Sequence, residues 1–109
     1  MPMPPYPVLC YEPNCGRPAI YKIAAEWSDG YTRELKTYGL TCADCLWKWY
    51  QRAVRSRQAL RLAPGEYVGE LAVYRFERGK RDVELVRDHE VETHLAARLA
   101  QSQSATPHP

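Results

Sequence analysis

The feature that most restricts this chain is the placement of its four cysteines: Cys10 and Cys15, then 26 residues, then Cys42 and Cys45. Two close pairs split by a long spacer form a ligand pattern, because zinc takes four tetrahedral ligands and favours thiolate in structural sites. Each pair can offer two sulfurs from a single turn, and the spacer must then double back. Four cysteine ligands leave no open position for an activated water, so such a site is structural and not a Lewis-acid catalyst. One structural Zn2+ is the expected cofactor; iron also accepts four cysteines. The other readings of the same thiols are a redox dithiol at Cys42 and Cys45, two disulfides, or four free buried cysteines.

The spacer can fold as required. From Ala19 to Trp27 the apolar residues alternate (Ala19, Tyr21, Ile23, Ala25, Trp27), which is strand periodicity. Ser28-Asp29-Gly30 is a hairpin turn, since Asp-Gly readily takes positive φ. Glu34 to Leu40 then returns as the partner strand, with its register left open by the choice between two- and three-residue loops. After Leu40 no Gly or Pro occurs until Pro64, and the stretch from Cys42 to about Leu60 reads as a helix with Thr41 as its N-cap. Cys42 and Cys45 would then sit where free backbone N–H groups offset thiolate charge.

Loop knuckle, β-hairpin and a cysteine pair opening a helix follow in the order of a treble-clef zinc finger, and the chain resembles that broad group. More narrowly, Cys15-Gly16-Arg17-Pro18-Ala19 and Leu40-Thr41-Cys42-Ala43-Asp44-Cys45-Leu46 resemble the N-terminal zinc module of bacterial protein-arginine-kinase activators. The likeness spans residues 10–46. It implies Cys10, Cys15, Cys42 and Cys45 as ligands together with the module's fold, and it does not extend to kinase activation.

Ala63-Pro64-Gly65 is a strong turn signal. Beyond it, Glu66 to Glu77 is rich in Tyr, Val and Leu on both faces, Arg78 to Arg81 is a turn, and Asp82 to Arg87 returns as a second hairpin. Asp88 caps a last helix, on which Val91, Leu95 and Leu99 form a narrow apolar stripe at i, i+4, i+8. That stripe docks on the hairpin or makes a homodimer seam. The expected fold is α+β: a Pro-rich extended start (1–9), a zinc module (10–62), a β-hairpin plus helix packed on it (65–101) and a disordered tail (102–109).

Composition narrows the function classes. The 109 residues include eight Tyr and three Trp but one Phe, rings that pack while keeping a polar edge wet. Residues 1–64 hold nine Lys/Arg against five Asp/Glu, and residues 65–109 hold six against eight. This mild asymmetry is not the footprint of a dedicated nucleic-acid binder. The start of the chain lacks the basic and apolar regions of a signal peptide, and no apolar run approaches the ~18–20 residues of a membrane span. A cytoplasmic location is expected, where thiols stay reduced.

The helix after Cys45 carries Lys48, Arg52, Arg55, Arg57 and Arg61 beside Trp47, Trp49 and Tyr50. Basic and aromatic residues interleaved this way can hold phosphates and bases, or simply form a solvated face over a packed one. His89 and His94 lie on different faces of the last helix, and His108 is in the tail. Glu90 and Glu92 read as charges near that helix's start, and Glu84 as an exposed strand residue. No Ser-His-Asp order, phosphate loop or paired acid–base signature is present, so no enzyme is expected. The leading expectation is a non-catalytic zinc-binding adaptor for a protein partner. Nucleic-acid binding through the basic helix 46–61 and thiol–disulfide chemistry at Cys42 and Cys45 are the alternatives.

Overall fold

The computed structural model describes residues 8–104. It is an α+β fold: one four-stranded antiparallel sheet with two helices. The strands are β1 (Tyr21–Ser28), β2 (Arg33–Thr41), β3 (Tyr67–Arg75) and the short β4 (Val86–Arg87); the helices are α1 (Leu46–Ala59) and α2 (His89–Ser104). Their order across the sheet is β2-β1-β3-β4. The second hairpin is therefore an extension of the first, because β3 pairs along the free side of β1.

Both faces of β1 are buried from Lys22 to Ala25, and the alternation decides which face meets the helices. Tyr21 and Ile23 point to the helices, and Ile23 joins Leu46 and Ala53 of α1, Val73 of β3 and Leu95 of α2 in the core. Lys22, on the opposite face, is covered by the β3–β4 connection, where its Nζ donates to Asp82 Oδ1 at 2.6 Å. The first hairpin closes with a four-residue loop, since Ser28 pairs with Arg33. Asp29 shapes that loop, its Oδ1 accepting from the Tyr31 and Thr32 backbone N–H groups, and Gly30 takes φ +93°. A bulge between Ile23 and Ala24 in the β1–β2 register leaves Tyr38 as the extra residue.

Several sequence expectations change. Thr41 is not an N-cap: it is the fully buried last residue of β2, and its carbonyl accepts from Ile20 N–H. Cys42 to Cys45 form a turn, and α1 begins only at Leu46 with Cys45 as N-cap. Leu46 N–H closes this turn onto Ala43 C=O at 3.4 Å, and the helical bonds start with Trp49 N–H to Cys45 C=O at 3.1 Å. α1 ends at Ala59, so Arg61 lies beyond it. Asp82–Glu84 is a 3-10 turn, with Glu84 accepting from Arg81, and not a strand. Asp88 does cap α2, its Oδ1 accepting from Val91 N–H at 3.1 Å. α2 continues to Ser104, past the expected start of the tail. At the other end Leu9 forms a bridge to Pro18 and Val8 C=O accepts from Ala19 N–H; residues 1–7 of the Pro-rich start and His108 lie outside the described residues. Of the apolar stripe, Leu95 is core and Val91 packs on it, while Leu99 is half-buried outside that cluster. No helix among the described residues is long and apolar enough to cross a membrane.

Candidate metal centre

The first knuckle is a tight loop. Cys10 N–H donates to Arg17 C=O at 2.8 Å, and Cys15 N–H to Glu12 C=O at 3.1 Å. The loop reverses through Asn14 and Gly16, at φ +66° and +71°. Glycine enters that left-handed region freely, and asparagine tolerates it better than most residues. The second knuckle is the Cys42–Cys45 turn. The two are brought together by the ends of the first hairpin, because Tyr11 N–H donates to Leu40 C=O and Ile20 N–H to Thr41 C=O, both at 2.8 Å.

All four sulfurs lie within 4.8 Å of one another. Cys15 Sγ is 3.7 Å from Cys42 Sγ and 3.8 Å from Cys45 Sγ. Sulfurs bound to a tetrahedral zinc at about 2.3 Å stand about 3.8 Å apart, whereas a disulfide needs about 2.05 Å. The spacing fits a shared dication. Cys10 and Cys42 are buried, while Cys15 and Cys45 are partly exposed. Burial opposes ionisation of Cys42, but the Cys45 backbone N–H and the neighbouring thiols outweigh it and lower its pKa. Burial, then the neighbouring Cys42, Cys10 and Cys15, push Cys45 up to about 12. Four thiols this close do not all ionise unaided, and a bound cation reverses that balance.

The site is braced from outside its ligand set. Glu12, between the first two cysteines, accepts from Lys48 Nζ at 2.6 Å and from Trp49 Nε1 at 2.9 Å. Lys48 holds the Glu12 carboxyl below its ordinary range. Arg17 pairs with Asp44 across the two knuckles. Trp49 also meets Tyr11 edge-on, with ring centroids 5.7 Å apart, and lies against Gly39. The knuckle is thus tied to the first turns of α1 by charge, hydrogen bonds and an aromatic contact. Sequence reasoning missed Glu12 and the bracing role of Trp49. The available signals were a lone acid inside a cysteine knuckle and a Trp one helical turn after Cys45.

The basic residues divide. Lys48 is engaged by Glu12, the Arg52 guanidinium lies 4.4 Å from the Trp49 ring centroid, and Arg57 Nε donates to Gly69 C=O at 2.6 Å. Arg55 and Arg61 are exposed. The five do not form one continuous free face. Near the start of α2, Glu92 is no bystander: it accepts from Arg87 and from Val73 N–H. Burial disfavours its charge, but Arg87 outweighs that and its pKa is lowered. His89 is exposed with Nδ1 4.0 Å from Glu92, and His94 is exposed.

Comparison with protein-family models, with curated proteins and with solved structures finds no match. What stands is what the chain itself shows: four cysteines positioned to bind one metal ion.

Proposed function

We propose that Cys10, Cys15, Cys42 and Cys45 hold one structural Zn2+ in a treble-clef-like module, and that the chain is a non-catalytic adaptor for a protein partner in the cytoplasm. The observation that carries the metal reading is the 3.7–3.8 Å sulfur spacing. A closed four-thiolate site offers no vacant coordination position, which favours a structural role over catalysis. With Lys48 paired to Glu12 and Arg52 stacked on Trp49, the case for phosphate binding by the basic helix rests on Arg55, Arg61 and the terminal nitrogens of Arg57. That is a small charge set for an affinity built on counterion release. A thiol–disulfide role for Cys42 and Cys45 draws less support, because Cys15 lies equally close to both. The likeness to the kinase-activator module bears on fold and ligands only.

Two measurements test this. Elemental analysis of the purified chain should give one zinc per molecule, and Cys42→Ser should abolish it; absence of any metal refutes the site. Affinity purification from the native cell should return a protein that survives moderate salt. Recovery of nucleic acid that is lost as salt rises would favour the basic-helix alternative.

A further inference from the structure

The outer edge of β3 is left unfinished. β4 pairs only with Tyr74 and Arg75, so among the described residues the stretch from Tyr67 to Val73 has no strand beyond it. Side chains and the start of α2 close parts of this edge. Val73 N–H donates to Glu92 Oε2 at 3.0 Å, Asp88 N–H donates to Val73 C=O at 2.8 Å, and Arg57 reaches Gly69 C=O at 2.6 Å. Leu71 lies between these closures. Strand alternation turns its N–H and C=O the same way as those of Val73, away from β1, and no partner meets them among the described residues.

Two cavities flank this gap. One, of about 380 Å³, opens between α1 and α2 and has an apolar part made by Tyr50, Val54, Leu71 and Ala96. The other, of about 490 Å³, includes Glu26, Tyr67, Ala72 and Tyr74. Arg57, Glu70 and Arg87 line both. Arg87 is already paired with Glu70 and Glu92. Among the described residues Arg57 has a single side-chain bond, from Nε to Gly69, and its two terminal nitrogens meet no carboxylate.

We propose that this notch takes an extended acidic peptide segment of a partner protein, which adds to the β3 edge at Leu71. The inference rests on the adaptor reading and names its surface. An added strand brings one N–H and one C=O to match those of Leu71, and its alternate side chains enter the two cavities. A carboxylate on that strand meets the terminal nitrogens of Arg57 in a charge-assisted bond. Nucleic acid fits less well, since its backbone has no N–H donor for the Leu71 carbonyl.

The probe is a phage-displayed library of random linear peptides, selected on the full zinc-loaded chain. Enriched peptides are synthesised and titrated by fluorescence anisotropy. The expected peptides carry an acidic residue within an alternating apolar–polar run. Arg57→Met should weaken them about tenfold or more, and Ala96→Trp should block them by filling the cavity between the helices. Gln58→Trp, from the opposite wall, replaces Ala96→Trp if that variant loses zinc or its circular dichroism. In 15N-labelled protein the Leu71 amide should shift and exchange more slowly on binding. The proposal is overturned if no peptide enriches, if both variants bind as wild type, if the Leu71 amide is unmoved, or if a single-stranded oligonucleotide displaces the peptide. A native partner captured equally by wild type and both variants would leave the adaptor reading standing and remove the notch. No captured protein at all would remove both.

Discussion

Replacing Gly39 with alanine probes how firmly the metal module is built. Gly39 follows the Tyr38 bulge and passes beneath the Trp49 indole. A Cβ at this position would stand 3.0 Å from Trp49 Cε3 and 3.6 Å from Cδ2. Gly39 is not one of the positive-φ glycines, so the backbone accepts alanine. Lost freedom in the unfolded chain would favour the substitution by about 0.4–1 kcal/mol. The ring, however, must retreat by a few tenths of an ångström. It is held by Glu12 at 2.9 Å, by Tyr11 edge-on and by Arg52 over its face. Overpacking against a pinned neighbour costs about 1–3 kcal/mol. The net expectation is a destabilisation of about 0.5–2 kcal/mol. Urea unfolding of the zinc-loaded protein at fixed free metal should show a lower midpoint with an unchanged slope. Chelator competition should show weaker zinc binding in parallel, because moving Trp49 slackens its bond to the knuckle. A midpoint equal to or above wild type would refute the reasoning: the indole would then be free to yield and would brace nothing.

Three further outcomes follow from the same geometry. Glu12→Ala should weaken zinc binding by about tenfold, the lower end for residues supporting metal ligands, while Glu77→Ala, which breaks an exposed pair with Lys80, should leave it unchanged in the same competition assay. A strong chelator should abolish the circular dichroism of the first hairpin and α1, because structural zinc contributes on the order of 10 kcal/mol in small modules; a spectrum unchanged after complete metal removal would contradict this. Asp88→Ala should cost about 1–2 kcal/mol through loss of the α2 cap. The Val91 N–H, and then Arg75, hold the Asp88 pKa below its ordinary value. Its contribution is therefore complete above the ordinary Asp pKa of about 3.9 and is lost as pH falls through the lower folded value. The gap between Asp88→Ala and wild type should stay constant across the neutral range and narrow only in acid. A gap that varied between pH 6 and 8 would implicate another group.

Local chemistry in the sequence locates much of this fold. The alternation of Tyr21, Ile23 and Ala25 marks β1, Asp29-Gly30 marks the turn, and Asp88 marks the start of α2. The cysteine spacing brings the two knuckles together. What local pattern could not show is which strand lies beside which. The apolar residues on both faces of β3 indicate cover on two sides, but they do not single out β1 as its neighbour. Nor does the run Val83, Leu85 and Val86 show that only Val86–Arg87 would pair; Asp82–Glu84 is a 3-10 turn whose Asp82 meets Lys22 of β1, a partner distant in sequence. The Thr41 cap failed for a related reason: Thr41 is held in β2, its carbonyl accepting from Ile20 N–H, and the residues after it form a knuckle turn before the helix starts. Glu12 drew no reading, and Glu92 read only as a charge near a helix start, because their partners lie in other elements, at positions fixed only once the sheet has formed.

The central place of β1 has a consequence during synthesis. The first hairpin, both knuckles and α1 leave the ribosome before β3 does, so the side of β1 that β3 will occupy is bare at that stage. The N-terminal part emerges first, and an uncovered strand is a template for pairing with other chains. Chaperone access to that open edge should therefore govern how much of the protein is recovered intact.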